Sequence, residues 1–129
     1  VDFGGRSVVF SGDTRVSENL MRHAQGVDLL VHEVVLPESM QRDGRSPERV
    51  RSVIAHHTTA EQAGTVFART HPRLAVFSHI GQPDASPEEL LASTRRTYAG
   101  AVEVGEDLMV IDVGSTISVH RSQRHDPQP

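Results

Sequence analysis

A chain of 129 residues fits one ordinary domain that can bury a core, and 36% hydrophobic with 23% charged residues reads as globular. The chain holds no cysteine, which excludes disulfides, thiolate metal sites and cysteine nucleophiles. Its formal charge of −4 with histidine neutral excludes a global positive field that would draw nucleic acid, while eight histidines are a first pointer to metal or acid–base chemistry.

In chain order, the apolar run Arg6 to Phe10 predicts a buried strand ending in the turn Ser11-Gly12-Asp13-Thr14. Ser17 is a good cap for a helix whose stripe is Leu20, Met21 and Ala24 and which stops at Gly26. Asp28 to His32 predicts a second strand. A loop carrying Pro37, Asp43-Gly44 and Pro47 comes next, then a short helix from Pro47 to about Ile54. The connection His56-His57-Thr58-Thr59 leads into a helix in which Thr59 and Gln62 have capping-box spacing, with Ala60, Ala63, Val66 and Phe67 as its apolar positions. Arg73 to Ser78 predicts a third strand, ending at His79. Ser86-Pro87-Glu88-Glu89 starts a helix that should run to about Tyr98. Ala101 to Val104 and Leu108 to Val113 read as a hairpin turning at Gly105-Glu106-Asp107, and Thr116 to His120 as a further strand. The expected division is a domain over 1–120 and a polar, disordered tail over 121–129.

Strand–helix–strand alternation implies parallel strands, whose C-terminal ends share one edge of the sheet. At those ends stand Asp13, then His32 and Glu33, then His79, with His56 and His57 entering the next helix. A lone histidine there is usually a packed or exposed side chain; several proton- or metal-competent groups on one rim point to chemistry. Imidazole and carboxylate suit zinc and similar divalent ions, and a carboxylate can bridge two of them. The sequence has no HxH or HxxxH pair to complete such a site.

The order SGDT (Ser11 to Thr14), VHEVV (Val31 to Val35), HHTTAEQAG (His56 to Gly64) and FSHI (Phe77 to Ile80) resembles the second half of ribonuclease Z-like proteins of the metallo-β-lactamase superfamily, over about Arg6 to Val113. The resemblance implies an α/β fold: the C-terminal half of an αββα sandwich, a mixed sheet flanked by helices. It implies a metal-dependent hydrolase in its full-length form, acting on phosphodiesters or other esters, with RNA as one substrate and a metal-bound hydroxide as nucleophile. Two divalent ions, zinc with manganese or iron as alternatives, would be held in part by Asp13 and His79. His57 would donate a proton to the phosphoryl oxygen or leaving group, with Glu33 orienting it and His32 alongside. Val34-Val35 departs from the family's Ala-Thr, and Thr58 stands where serine is usual. The family's HxHxDH motif and a further histidine ligand precede the SGDT segment and are not in this sequence. The start at Val1 therefore suggests a fragment or processed chain that alone does not hold two metals tightly.

Arg42, Arg45, Arg49 and Arg51 could contact phosphates but read first as a solvated face. Three other readings stand beside the phosphodiesterase. One is a non-catalytic truncated module covering its exposed sheet with the missing N-terminal half or a second copy, as in a homodimer. Another is an arylsulfatase-like or other ester hydrolase, and the third a small α/β domain that binds a ligand without turnover. No apolar stretch approaches the roughly 20 residues that span a bilayer, and no signal peptide pattern opens the chain, so no membrane partner and a cytoplasmic location are expected.

Overall fold

The computed structural model describes residues 1–82 and 84–122. Five strands form a mixed sheet in the order β1-β2-β3-β4-β5. They are β1 (Asp2–Phe3), β2 (Arg6–Phe10), β3 (Leu29–Val34), β4 (Leu74–Ile80) and β5 (Val102–Val104). β2 to β5 pair in parallel, and only the two-residue β1 runs antiparallel, on β2. The helices are α1 (Glu18–His23), α2 (Pro37–Arg42), α3 (Pro47–Ile54), α4 (Ala60–Thr70) and α5 (Pro87–Thr94). A separate antiparallel pair, β6 (Val110–Val113) and β7 (Ile117–His120), closes the described chain.

Side chains on a strand alternate between faces, and that period divides the core in two. Leu30 and Val34 of β3, Ala75 and Phe77 of β4, and Val102 and Val104 of β5 cluster with Met21 and Ala24, with the α4 stripe Ala60, Ala63, Val66 and Phe67, and with Leu90 of α5. Phe67 is the hub, its ring 5.5 Å from Phe77 and 5.6 Å from Tyr98. On the other face Leu29, Leu74 and Val76 meet Ile111 and Val113 of β6 and Ile117 and Val119 of β7. The hairpin leaves the β1–β2 end uncovered, where Phe3 is 86% and Phe10 63% exposed.

The capping signals act as read. Thr59–Gln62 and Ser86–Glu89 both form reciprocal capping boxes, and Ser17 accepts from the Leu20 amide. Three expectations are corrected. The stretch at Pro37 is helical, because proline fits a first helical position and gives up no intrahelical bond there. α5 stops at Thr94 rather than near Tyr98. The hairpin does not turn at 105–107, because β5 is drawn into the main sheet beside β4 and the Gly105 amide donates to the Phe77 carbonyl. The turn falls instead between β6 and β7, where the Arg73 guanidinium donates to the carbonyls of Gly114 and Ser115 at 3.1 and 2.7 Å. Of the tail expected over 121–129, residues 123–129 lie outside the described residues. Arg121 is tied down, its guanidinium 2.6 Å from a Glu103 carboxylate oxygen. Among the described residues no helix is long and apolar enough to cross a membrane.

Candidate active site

The C-terminal ends of β2, β3 and β4 share one edge, and there the sheet brings Asp13, Glu33, His57 and His79 together. Asp13 sits just past β2, after Gly12, whose φ of +58° suits glycine. Its Oδ1 lies 3.3 Å from His79 Nε2, and both side chains are about 60% exposed, at 62% and 60%. The His79 ring stacks on that of His57, with centroids 6.4 Å apart and planes 23° from parallel.

His79 owes its position to a bulge. Glu33 is opposite Ser78 and Val34 opposite Ile80, so β4 carries one residue more than β3 at this point. The extra residue is His79, with φ +48°, a conformation uncommon for a residue with a β-carbon. The bulge re-aims the imidazole at the end of the strand, where a regular strand would keep the strict alternation.

Glu33 is the buried centre of the rim, its side chain only 1% exposed. Its Oε1 accepts from the Thr14 amide at 3.0 Å, the Thr58 amide at 3.2 Å and His57 Nδ1 at 3.1 Å. A carboxylate oxygen in that role only accepts, so the His57 proton is on Nδ1, leaving Nε2 as the ring's other polar atom. Glu33 Oε2 is buried without a hydrogen-bond partner. The residue lines a cleft of about 190 Å³ together with Gly12, Asp13, Ser78 and His79. A second cleft, of about 340 Å³, adjoins it at His79 and carries Glu106 and Asp107 on its wall.

His32 borders the same cleft, but its imidazole makes no contact with the Asp13, Glu33, His57 and His79 side chains. Alternation turns it to the helix face opposite Glu33, where it is fully buried with its ring 6.0 Å from Phe67. Nδ1 lies 2.7 Å from the Glu33 carbonyl, an acceptor, while Nε2 has no partner. Burial holds the imidazole below its usual titration range, against the opposing pull of the Glu33 carbonyl and charge. His56 is exposed. Of the arginines after β3, Arg42 pairs with Glu89 and Arg51 with Glu48. Two residues that the sequence reading placed in motifs but gave no site role, Ser11 and Thr58, hydrogen-bond within the rim. Both stand in the SGDT and HHTT segments, yet neither hydroxyl carries a sequence signal of its own.

The donor set suits a divalent ion in kind, an imidazole nitrogen facing a carboxylate oxygen, but not in number. Among the described residues no cluster of three or more histidine, cysteine, aspartate or glutamate side chains could hold a metal. Asp13 Oδ1 and His79 Nε2, 3.3 Å apart, are two donors of suitable kind.

No protein-family model matches the chain. The chain is 34% identical over 110 residues to ribonuclease Z of Myxococcus xanthus (strain DK1622), an alignment covering 84% of this chain and 33% of that protein. In solved structures it is similar to the metallo-beta-lactamase fold protein YhfI from Bacillus subtilis, with TM-score 0.61 and 15% identity over 80% of this chain and 38% of that one. It is also similar to a diphosphatase from the PhnP family, with TM-score 0.53 and 17% identity over 79% of this chain and 33% of the other. The chain thus spans about a third of the length of these proteins.

Proposed function

For a chain homologous to ribonuclease Z and built on part of the metallo-β-lactamase fold, we propose that the rim is one edge of a metal-dependent phosphodiesterase centre acting on RNA. The observation that carries this reading is the Asp13–His79 pair at 3.3 Å, stacked through His79 on a histidine whose Nδ1 lies 3.1 Å from a buried carboxylate. Asp13 and His79 would hold divalent metal, zinc or alternatively manganese or iron, with the remaining ligands supplied by a part of the fold outside residues 1–120. Such an ion would supply Lewis acidity at the phosphoryl group and activate water.

The residues of this chain do the rest. Glu33 keeps the Nδ1–H of His57 and so fixes the ring and its tautomer. With Nε2 also protonated, His57 can give that proton to the leaving oxygen, and Glu33 stabilises the imidazolium that precedes transfer. His32 is turned into the core, with Nδ1 on the Glu33 carbonyl and its ring edge-on to Phe67. A cytoplasmic location goes with this reading.

The test is a version of the protein extended upstream, assayed on bis-p-nitrophenyl phosphate with Zn²⁺ or Mn²⁺. Asp13→Ala and His79→Ala should each abolish metal-dependent turnover, and His57→Ala should lower kcat by about 10²-fold or more. Full activity in any of the three variants overturns the assignment. The exposure of Phe3 and Phe10 favours a second reading, a module whose open sheet face is covered by another chain or a second copy. An inactive extended protein that light scattering finds dimeric would favour it.

A further inference from the structure

Asp13 is an exposed residue in a glycine-containing loop, so something must fix the direction of its carboxylate. Its near end is anchored to β3: the Ser11 amide donates to the Val31 carbonyl at 2.9 Å, and Ser11 Oγ accepts from the Glu33 amide at 3.0 Å. The far end is Thr14. Its amide donates to Glu33 Oε1 at 3.0 Å, and its carbonyl accepts from the Thr58 hydroxyl at 2.7 Å. Thr58 is fully buried, and its own backbone is fixed twice, by its amide on Glu33 Oε1 and by its carbonyl accepting from the Val35 amide at 3.0 Å. A buried hydroxyl needs a partner, and this one uses its proton on the loop that carries Asp13.

We propose that Thr58 is a positioning residue for Asp13: its hydroxyl clasps the Ser11–Thr14 loop to the turn that carries His57, so that carboxylate and imidazole are set by one network. The function of the clasp rests on the reading of Asp13 as a metal ligand, whereas the clasp itself stands on the hydrogen bonds. Side chains that present a reacting group gain precision when their supports are locked by packing and hydrogen bonds, and here the support is a buried threonine rather than a contact of Asp13 itself.

The test uses the ¹⁵N-labelled chain with Thr58→Val, which keeps the shape and removes the hydroxyl, and Thr58→Ser, which keeps the hydroxyl. In the Val variant amide exchange at Thr14 should rise about fivefold, as for the loss of one net hydrogen bond, while β3 and α4 amides keep their protection. Added Mn²⁺, whose paramagnetic broadening registers weak binding, should broaden the Asp13 and His79 signals at several-fold higher concentration in the Val variant. The Ser variant should match wild type in both measurements. Unchanged Thr14 exchange and Mn²⁺ response in the Val variant overturn the proposal, as does a Ser variant that loosens equally, which would assign the effect to the buried methyl. Should the Val variant fail to fold, Thr58→Ala makes the same comparison. If Mn²⁺ broadens neither signal in wild type, the metal reading and the function of the clasp fall together, and Thr14 exchange alone judges the hydrogen bond.

Discussion

A histidine sealed in the core must leave a mark on the pH dependence of stability, and His32 gives a sign and a size. Its ring is fully buried, and desolvation pushes its titration below the ordinary 6.5. Below that value the unfolded chain takes up a proton that the folded chain refuses. His32 therefore costs nothing above pH 6.5, and stability falls as pH drops from there toward the lower folded value, with a limiting slope of about 1.4 kcal/mol per pH unit. His32→Leu removes the proton site and keeps an apolar side chain against Phe67. It also takes away the 2.7 Å bond to the Glu33 carbonyl, a cost of about 1 kcal/mol that does not vary with pH. Urea unfolding of both proteins followed by circular dichroism from pH 8 to 5.5 isolates the term, because all other titrating groups largely cancel in the difference. Wild type should lose ground to the variant steadily once pH falls below 6.5. A difference that stays constant across the range would refute the assignment of His32 as a neutral core residue.

Two further perturbations test the scaffold. Gly64 lets α4 pack on α5: a β-carbon there would lie 2.7 Å from the Thr94 carbonyl oxygen and clash with Thr97 Oγ1. Gly64→Ala should lower stability by about 1–3 kcal/mol despite the better helix propensity of alanine, and a thermal midpoint at or above wild type counts against it. Asp28 accepts from Arg73 at 2.6 Å and from the Ser7 amide at 2.9 Å, and Arg73 first, then Ser7, holds its carboxyl below the usual 3.8. A depressed carboxylate stabilises the fold above its unfolded value, so the deficit of Asp28→Asn should be constant from neutral pH to about pH 5. It should shrink only as pH falls through 3.8 toward the lower folded value; a deficit already shrinking near neutrality contradicts the pairing.

The sequence carried most of the elements because their signals are local. Capping boxes at Thr59 and Ser86 and the apolar stripe of α4 act within a few residues, and they hold in the fold. What escaped was non-local. β5 reads as half of a hairpin until β4 takes it as a parallel neighbour, and α2 reads as loop because Leu36 offers no capping side chain. The rim divides in the same way. Asp13, Glu33 and His57 follow from turn and strand-end motifs. The bulge that orients His79 has no sequence mark, since the residue in the left-handed conformation is not glycine. The strand end and the family resemblance both set His32 beside Glu33, although adjacent strand residues face opposite sides.

The order of the rim must come from the fold and not from the contact between its two outermost members. Asp13 and His79 are both largely exposed, and even a fully charged pair at the surface contributes only about 0–1 kcal/mol, too little to hold a loop and a strand end in register. The bulge lies in β4, while the bonds from the Thr14 and Thr58 amides to Glu33 and the bridge between Val35 and Thr59 tie the flanking loops to the end of β3. The rim of this chain, which spans about a third of the length of ribonuclease Z from Myxococcus xanthus, is therefore shaped by its own backbone. Any ion that binds there would meet donors whose spacing the backbone has set. On the proposed metal reading, further ligands would approach from the open side of the cleft, where Asp13 and His79 face solvent.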